Sequence, residues 1–134
     1  MQAIVPYLTV SNASEAIDFY KKAFDAKENS RMPEENGKRI MHADLTIHGG
    51  TIFVMDEFPE YGSAKHPNAE RKSPVGIVIQ LSTPKDVDAV YAQAVAAGAK
   101  STQEPADMFW GARYAAMLDP FGHEWMLNSA LEKK

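Results

Sequence analysis

Hydrophobic and polar positions follow two rhythms along this chain, one of period two and one near 3.6. The rhythms come in the same order twice. Ala3 to Val10 is apolar and β-branched enough for a strand. Asn12 follows as a helix N-cap with Glu15 three residues on, in the manner of a capping box. Ile17, Tyr20 and Phe24 then recur at i, i+3 and i+7, with Lys21 and Lys22 toward water. Turn formers from Pro33 to Gly37 lead into an alternating stretch, Arg39 to His48. There Met41, Ala43, Leu45 and Ile47 take one face, and His42, Asp44, Thr46 and His48 the other. Gly49-Gly50 predicts a turn and Thr51 to Met55 a returning strand. The predicted order is strand, helix, strand, strand, strand.

The second half repeats it. Val75 to Leu81 reads as a strand. Thr83-Pro84-Lys85-Asp86 starts a helix with a cap, a proline at the first helical position and an acid in the first turn. Val87, Val90, Tyr91, Ala94 and Val95 form its apolar stripe, and Gly98 stops it. A short strand covers Ala99 to Gln103, and Arg113 to Leu118 and Glu124 to Asn128 are joined by the Asp119-Pro120-Phe121-Gly122 turn. Val10-Ser11 matches Leu81-Ser82 at an offset of 71, Gly50 matches Gly122 at 72, and Ala26-Lys27 matches Ala99-Lys100 at 73. That near-constant spacing favours a duplicated βαβββ module over one continuous ferredoxin-like domain, whose element order overlaps. The modules are expected at 1–56 and 75–129 within a single domain spanning 1–134. The segment 57–74 is a proline-containing, charged linker: either a plain solvated connection or a loop able to close over a site. Leu131 to Lys134 reads as a frayed end.

Composition narrows the chemistry. Fourteen basic against eighteen acidic residues give a net charge of −4, so no basic field exists for nucleic acid or an anionic membrane surface. The chain has no cysteine, which removes disulfides, thiolate metal sites and cysteine nucleophiles. The opening residues lack the basic, uninterrupted apolar pattern of a signal peptide, and no stretch is long enough to span a bilayer. A cytoplasmic protein is the expectation.

Three stretches resemble the vicinal oxygen chelate superfamily of glyoxalases, bleomycin-resistance proteins and dioxygenases, and most resemble its PhnB-like branch. They are Pro6 to Ser11 with Ala16 to Tyr20; Met41 to Leu45; and Phe109 to Tyr114 with Asp119 to Trp125. The resemblance implies an α+β fold: two tandem βαβββ modules whose curved mixed sheets surround a cavity and carry their helices on the convex side. On that basis Phe53, Met55, Ile77, Ile79, Leu81, Trp125 and Leu127 would pack toward the helices. Val5, Tyr7, Thr9, His42, Asp44, Ile52, Val54, Asp56, Gly76, Val78, Gln80, Glu124, Met126 and Asn128 would face the cavity.

Metalloenzymes of the family hold a divalent ion with His and Glu on the first and last strands of each module. Carried over by motif, those positions fall on Val5, Gly76, Val54 and Met126, none of which offers such a donor. No cofactor is therefore expected; a displaced metal set using His42, Asp44 and Glu124 is the alternative. His48 and His123, beside glycine turns, read as solvated loop residues.

What remains implies a small organic molecule as partner, and the family implies a homodimer. The ligand-binding candidates are Tyr7, Thr9, Asp44, Gln80, Trp110, Arg113 and Tyr114. Trp110 either stacks on a planar or cationic ligand or plugs an edge or a dimer seam. Arg113 either clamps an anionic group or pairs with a surface acid. Tyr114 stands at the counterpart of His42 by the offset of 72. The acidic balance suits a cationic ligand. For catalysis the candidates are His42, oriented by Asp44, and Glu124, which is otherwise a solvated rim carboxylate. A metal-independent binding protein and a glyoxalase-type lyase or isomerase are the two readings.

Overall fold

The computed structural model describes residues 2–68 and 70–131. Two compact units divide the chain, Met1–Pro67 and Asn68–Lys134. The first contains β1 (Tyr7–Val10), α1 (Ala13–Phe24), β2 (Lys27–Pro33), β3 (Ile40–Ile47), β4 (Gly50–Asp56) and a 3-10 turn at Pro59–Tyr61. The second contains β5 (Ile77–Gln80), α2 (Pro84–Ala97), β6 (Lys100–Met108), β7 (Ala112–Leu118) and β8 (Glu124–Ala130). Strand order is β1-β4-β3-β2 in one sheet and β5-β8-β7-β6 in the other, each with its first strand parallel and the rest antiparallel. The duplicated βαβββ arrangement is therefore the fold. Among the described residues no helix is long and apolar enough to cross a membrane.

Each helix covers one face of its own sheet. In α1, Asn12 Oδ1 accepts the Glu15 N–H at 3.1 Å, and Asp25 ends the helix at φ 56°. Ile17, Tyr20 and Phe24 are buried, as are Ala13, Ala16, Phe19 and Ala23, and each large side chain removed from water contributes about 2 kcal/mol. In α2, Thr83 and Asp86 form the reciprocal capping box, with Pro84 at the first helical position. Val87, Val90 and Ala94 are buried there, whereas Val95, expected in the stripe, is exposed.

A buried aspartate fastens each unit. Asp56, only 6% exposed, accepts the N–H of Ala13 at 2.9 Å and of Ile40 at 2.6 Å, tying the helix start and the β3 start to the end of β4. Asp119 Oδ1 accepts the N–H of Phe121 and of His123 at 2.8 and 3.0 Å, and Oδ2 accepts the Trp125 indole N–H at 2.9 Å. The Asp-Pro-Phe-Gly-His-Glu-Trp motif is thus a turn clamp, and His123, expected in solvent, is buried within it.

Several expectations are corrected here. On β4 it is Ile52, Val54 and Asp56 that are buried on the α1 side, while Phe53 and Met55 lie on the other face. The assigned faces of that strand are reversed. Met41 leaves its expected face and is exposed, next to the register shift between Met32 and Pro33. The β3–β4 turn is His48-Gly49, both at positive φ, with Gly50 already in the strand. β6 runs five residues past Gln103 to Met108, carrying Pro105 on a sheet edge where a missing N–H is tolerated.

The first part of the segment expected as a linker is attached to the first unit. Phe58 is buried, its N–H donates to Ser63 Oγ at 2.7 Å, and Glu57 accepts from the His66 backbone and ring. The Arg39 guanidinium lies 4.0 Å over the Phe58 ring and pairs with Glu34 and Glu60. At the chain's end, Glu132 to Lys134 lie outside the described residues.

Candidate functional site

The helix-free faces of the two sheets carry most of the candidate residues. In the first unit Tyr7, on β1, is directly paired with Phe53 on β4, so both rings stand on the same side. His42, on β3, joins them. Its ring centroid is 5.5 Å from Tyr7 and 4.6 Å from Phe53, in edge-to-face contacts. Tyr7 Oη lies 2.8 Å from His42 Nδ1 and 3.3 Å from the Met41 carbonyl. Partial burial pushes the Tyr7 phenol up, although the residue is still 48% exposed.

The expected His42–Asp44 partnership is not what this face contains. Asp44 Oδ1 instead accepts from the Asn29 amide at 3.3 Å, and that amide also donates to Thr46 at 2.8 Å. Thr9 points to this side from β1 but is buried beside Met55. Phe53, expected on the helix side, is the third aromatic member of this face.

In the second unit one cross-sheet row contains Gln80, Asn128 and Tyr114, each directly opposite the next. The Asn128 amide N–H donates to Gln80 Oε1 at 2.9 Å. Val78 and Met126 are the pair next along the same face. Burial, and then the neighbouring Glu124 carboxylate, push the Tyr114 phenol up. Trp110 sits in the β6–β7 turn, 52% exposed, with its ring 5.6 Å from Tyr114, edge to face. Phe109 projects beside it, almost wholly in solvent.

Arg113 goes to the opposite side. Its guanidinium pairs with Asp88 on α2 at 2.8 Å and with Asp107 on β6 at 2.9 Å, and these carboxylates hold its pKa up. It therefore stands apart from Tyr114, its neighbour in sequence. The first unit thus brings Tyr7 and His42 together, the second Gln80, Tyr114, Trp110 and Glu124.

The sequence profile of the glyoxalase/bleomycin resistance protein/dioxygenase superfamily matches residues 3–127. The chain belongs to that superfamily. A Mycobacterium bovis protein, Mb0911c, is 41% identical over 98% of this chain and 85% of its own length. Among solved structures, TioX from Micromonospora sp. ML1 is similar with a TM-score of 0.76 and 27% identity, covering 98% of this chain and all of TioX. The PhnB protein of Bacillus cereus shares the fold, with a TM-score of 0.72 and 21% identity over 96% of this chain and all of its own.

Superfamily metalloenzymes place carboxylate and imidazole donors at the positions carried over above, and the ladders locate those positions here. Leu8 pairs with Val54 where Ile79 pairs with Leu127. The counterpart of Met126 is therefore Phe53 rather than Val54, which is fully buried on the helix side. The first unit offers Val5 and Phe53; the second offers Gly76 and Met126. None has a hard oxygen or imidazole donor.

The space over Gly76 is also taken. A Cβ built there would meet Met126 Cε at 2.5 Å and Glu124 Oε1 at 3.7 Å. The superfamily's divalent ion does not fit these residues. Nor does either unit assemble the displaced set, since His42 and Asp44 belong to the first and Glu124 to the second. Among the described residues no three His, Asp or Glu groups are arranged to hold a metal.

Proposed function

We propose that this chain is a metal-independent binding protein for a small organic molecule, which rests on the helix-free face of a sheet. The observation that carries the reading is the replacement of ion-holding positions by Phe53 and Met126, a ring and a thioether. In the first unit Tyr7 and His42 stand beside Phe53; in the second, Gln80, Asn128, Tyr114 and Trp110 share the face of Met126. Such a surface, apolar with a few polar groups, suits an organic ligand. A homodimer is the proposed assembly, checked by sedimentation.

Protein treated with a chelator is expected to retain full affinity for a planar aromatic ligand found by thermal-shift screening, because binding raises apparent stability. Trp110→Ala is expected to weaken that ligand about tenfold, from loss of stacking, and to leave the fold intact. Tight stoichiometric binding of Mn²⁺ or Ni²⁺ to the chelated protein would overturn the proposal.

The Tyr7–His42 contact favours one second reading, a lyase or isomerase. In it His42 exchanges a proton with the substrate while Tyr7 fixes the imidazole ring. His42→Ala would then lower turnover by about 100-fold or more; unchanged turnover eliminates the role.

A further inference from the structure

The amide pair on the second unit's open face has hydrogen-bonding capacity left over. Asn128 donates one N–H to Gln80 Oε1 at 2.9 Å. That single bond leaves the Gln80 Nε2 donors and the Asn128 Oδ1 acceptor uncommitted among the contacts of the described residues. Reversing both amides changes nothing essential: one amide nitrogen with both its N–H groups free and one amide oxygen remain whichever residue donates.

Both strands present these groups on the face away from α2. Gln80 is exposed and Asn128 half-buried, while the alternate residues Ile79 and Leu127 are buried. The row continues to Tyr114, directly opposite Asn128, and the Trp110 ring stands 5.6 Å from it. Met126 and Val78 supply an apolar floor one step along. The chemistry is therefore a neutral donor–acceptor edge next to aromatic faces.

We infer that this face selects a flat aromatic molecule bearing a carboxamide or lactam edge. The ligand carbonyl accepts from Gln80 Nε2, its N–H donates to Asn128 Oδ1, and its ring lies against Tyr114 and Trp110. A carboxylate of the same shape brings acceptors only and leaves Asn128 Oδ1 facing a like charge distribution; a ketone leaves it without a donor. Recognition here runs through hydrogen-bond order, not through the net acidity of the chain. The inference rests on the proposed ligand-binding reading and names the ligand class for it.

The test uses the full chain and four naphthalene probes, 2-naphthamide, 2-naphthoate, 2-acetylnaphthalene and 2-naphthamidine, followed by titration calorimetry. The wild type is expected to bind 2-naphthamide about tenfold tighter than the carboxylate or the ketone. Gln80→Glu, an exposed position, replaces the free amide nitrogen of the edge by a carboxylate oxygen. It should cost the amide about tenfold and make the amidine the preferred probe. Trp110→Ala should weaken all wild-type binders together.

Equal affinities for amide, carboxylate and ketone would overturn the inference while leaving ring binding, and so the broader reading, in place. An unchanged probe order in Gln80→Glu would likewise overturn it. No binding by any naphthyl probe would remove both.

Discussion

Tyr7, His42 and Phe53 in the first unit hold the ladder positions that Val78, Tyr114 and Met126 hold in the second. On the one face a phenol, an imidazole and a benzyl ring contact one another, and the imidazole is held by a hydrogen bond. On the other, a thioether and a valine lie beside a bonded amide pair. The helix faces share a pattern: each helix is capped and buries an apolar stripe, rich in aromatic rings in α1 and aliphatic in α2. Duplication has kept the apolar pattern of what packs and varied the chemistry of what faces outward. Chemistry on this scaffold is therefore free to differ between the halves without disturbing the core.

The sharpest way to test this shared frame is to remove its fastenings. Asp119→Ala strands three buried or turn donors and is expected to cost about 3 kcal/mol, whereas Asp56→Ala strands two and is expected to cost about 2. Urea unfolding reads both. Tryptophan fluorescence follows the second unit, because Trp110 and Trp125 both belong to it, and far-UV circular dichroism follows the whole chain. Negligible losses would mean that the aspartates are not the fastenings.

A smaller effect tests the filled ion position. Gly76→Ala drives a methyl against the end of Met126 and is expected to cost about 1 kcal/mol. Met126→Ala in the same chain should remove that added penalty through coupling.

The smallest effect separates the units by acidity. Glu28, Glu34, Glu57 and Glu60 all belong to the first unit and are held below the ordinary glutamate value, by Arg31, Arg39, His66 and Arg39 respectively. Carboxyls depressed in the folded state stabilise it above their unfolded pKa, and that contribution is lost as pH falls through the folded values. Below about pH 4.5, hydrogen exchange corrected for intrinsic rate should rise in peptides from 2–67 before those from 70–131. The gain is slight because these pairs stand in water.

Much of the frame was legible because it rests on local chemistry. Asn12, Thr83 and Gly98 marked helix ends by their capping atoms, and Ile17, Tyr20 and Phe24 marked a face by spacing. The alternation of β3 from His42 to Ile47 reads correctly for the same reason. β4 does not, because Ile52, Phe53, Val54 and Met55 are apolar on both parities. Asp56 then misled further, since its burial depends on N–H groups of Ala13 and Ile40, distant in sequence. The sequence pattern ends β6 at Gln103 because Glu104, Ala106 and Asp107 lie on an edge, where burial imposes no alternation, and Pro105 interrupts the run. At the site, Asp44 was assigned to His42 by proximity in sequence, but the partner came from another strand. Gln80 and Asn128 were each placed on the correct face; their bond, across 48 residues, was not written in either segment.

The four residues between Thr46 and Thr51, set against the five between their counterparts Leu118 and Glu124, have a consequence for tracing ancestry inside this chain. Ala43 answers to Ala115, a step of 72, but Val54 answers to Leu127, a step of 73. Because a strand's two sides swap with every single-residue displacement, any inherited role must be transferred one strand at a time. A uniform ruler laid from the first copy to the second moves a wet position to the dry side, and makes a lost donor seem to have been a valine when its place is held by a phenylalanine.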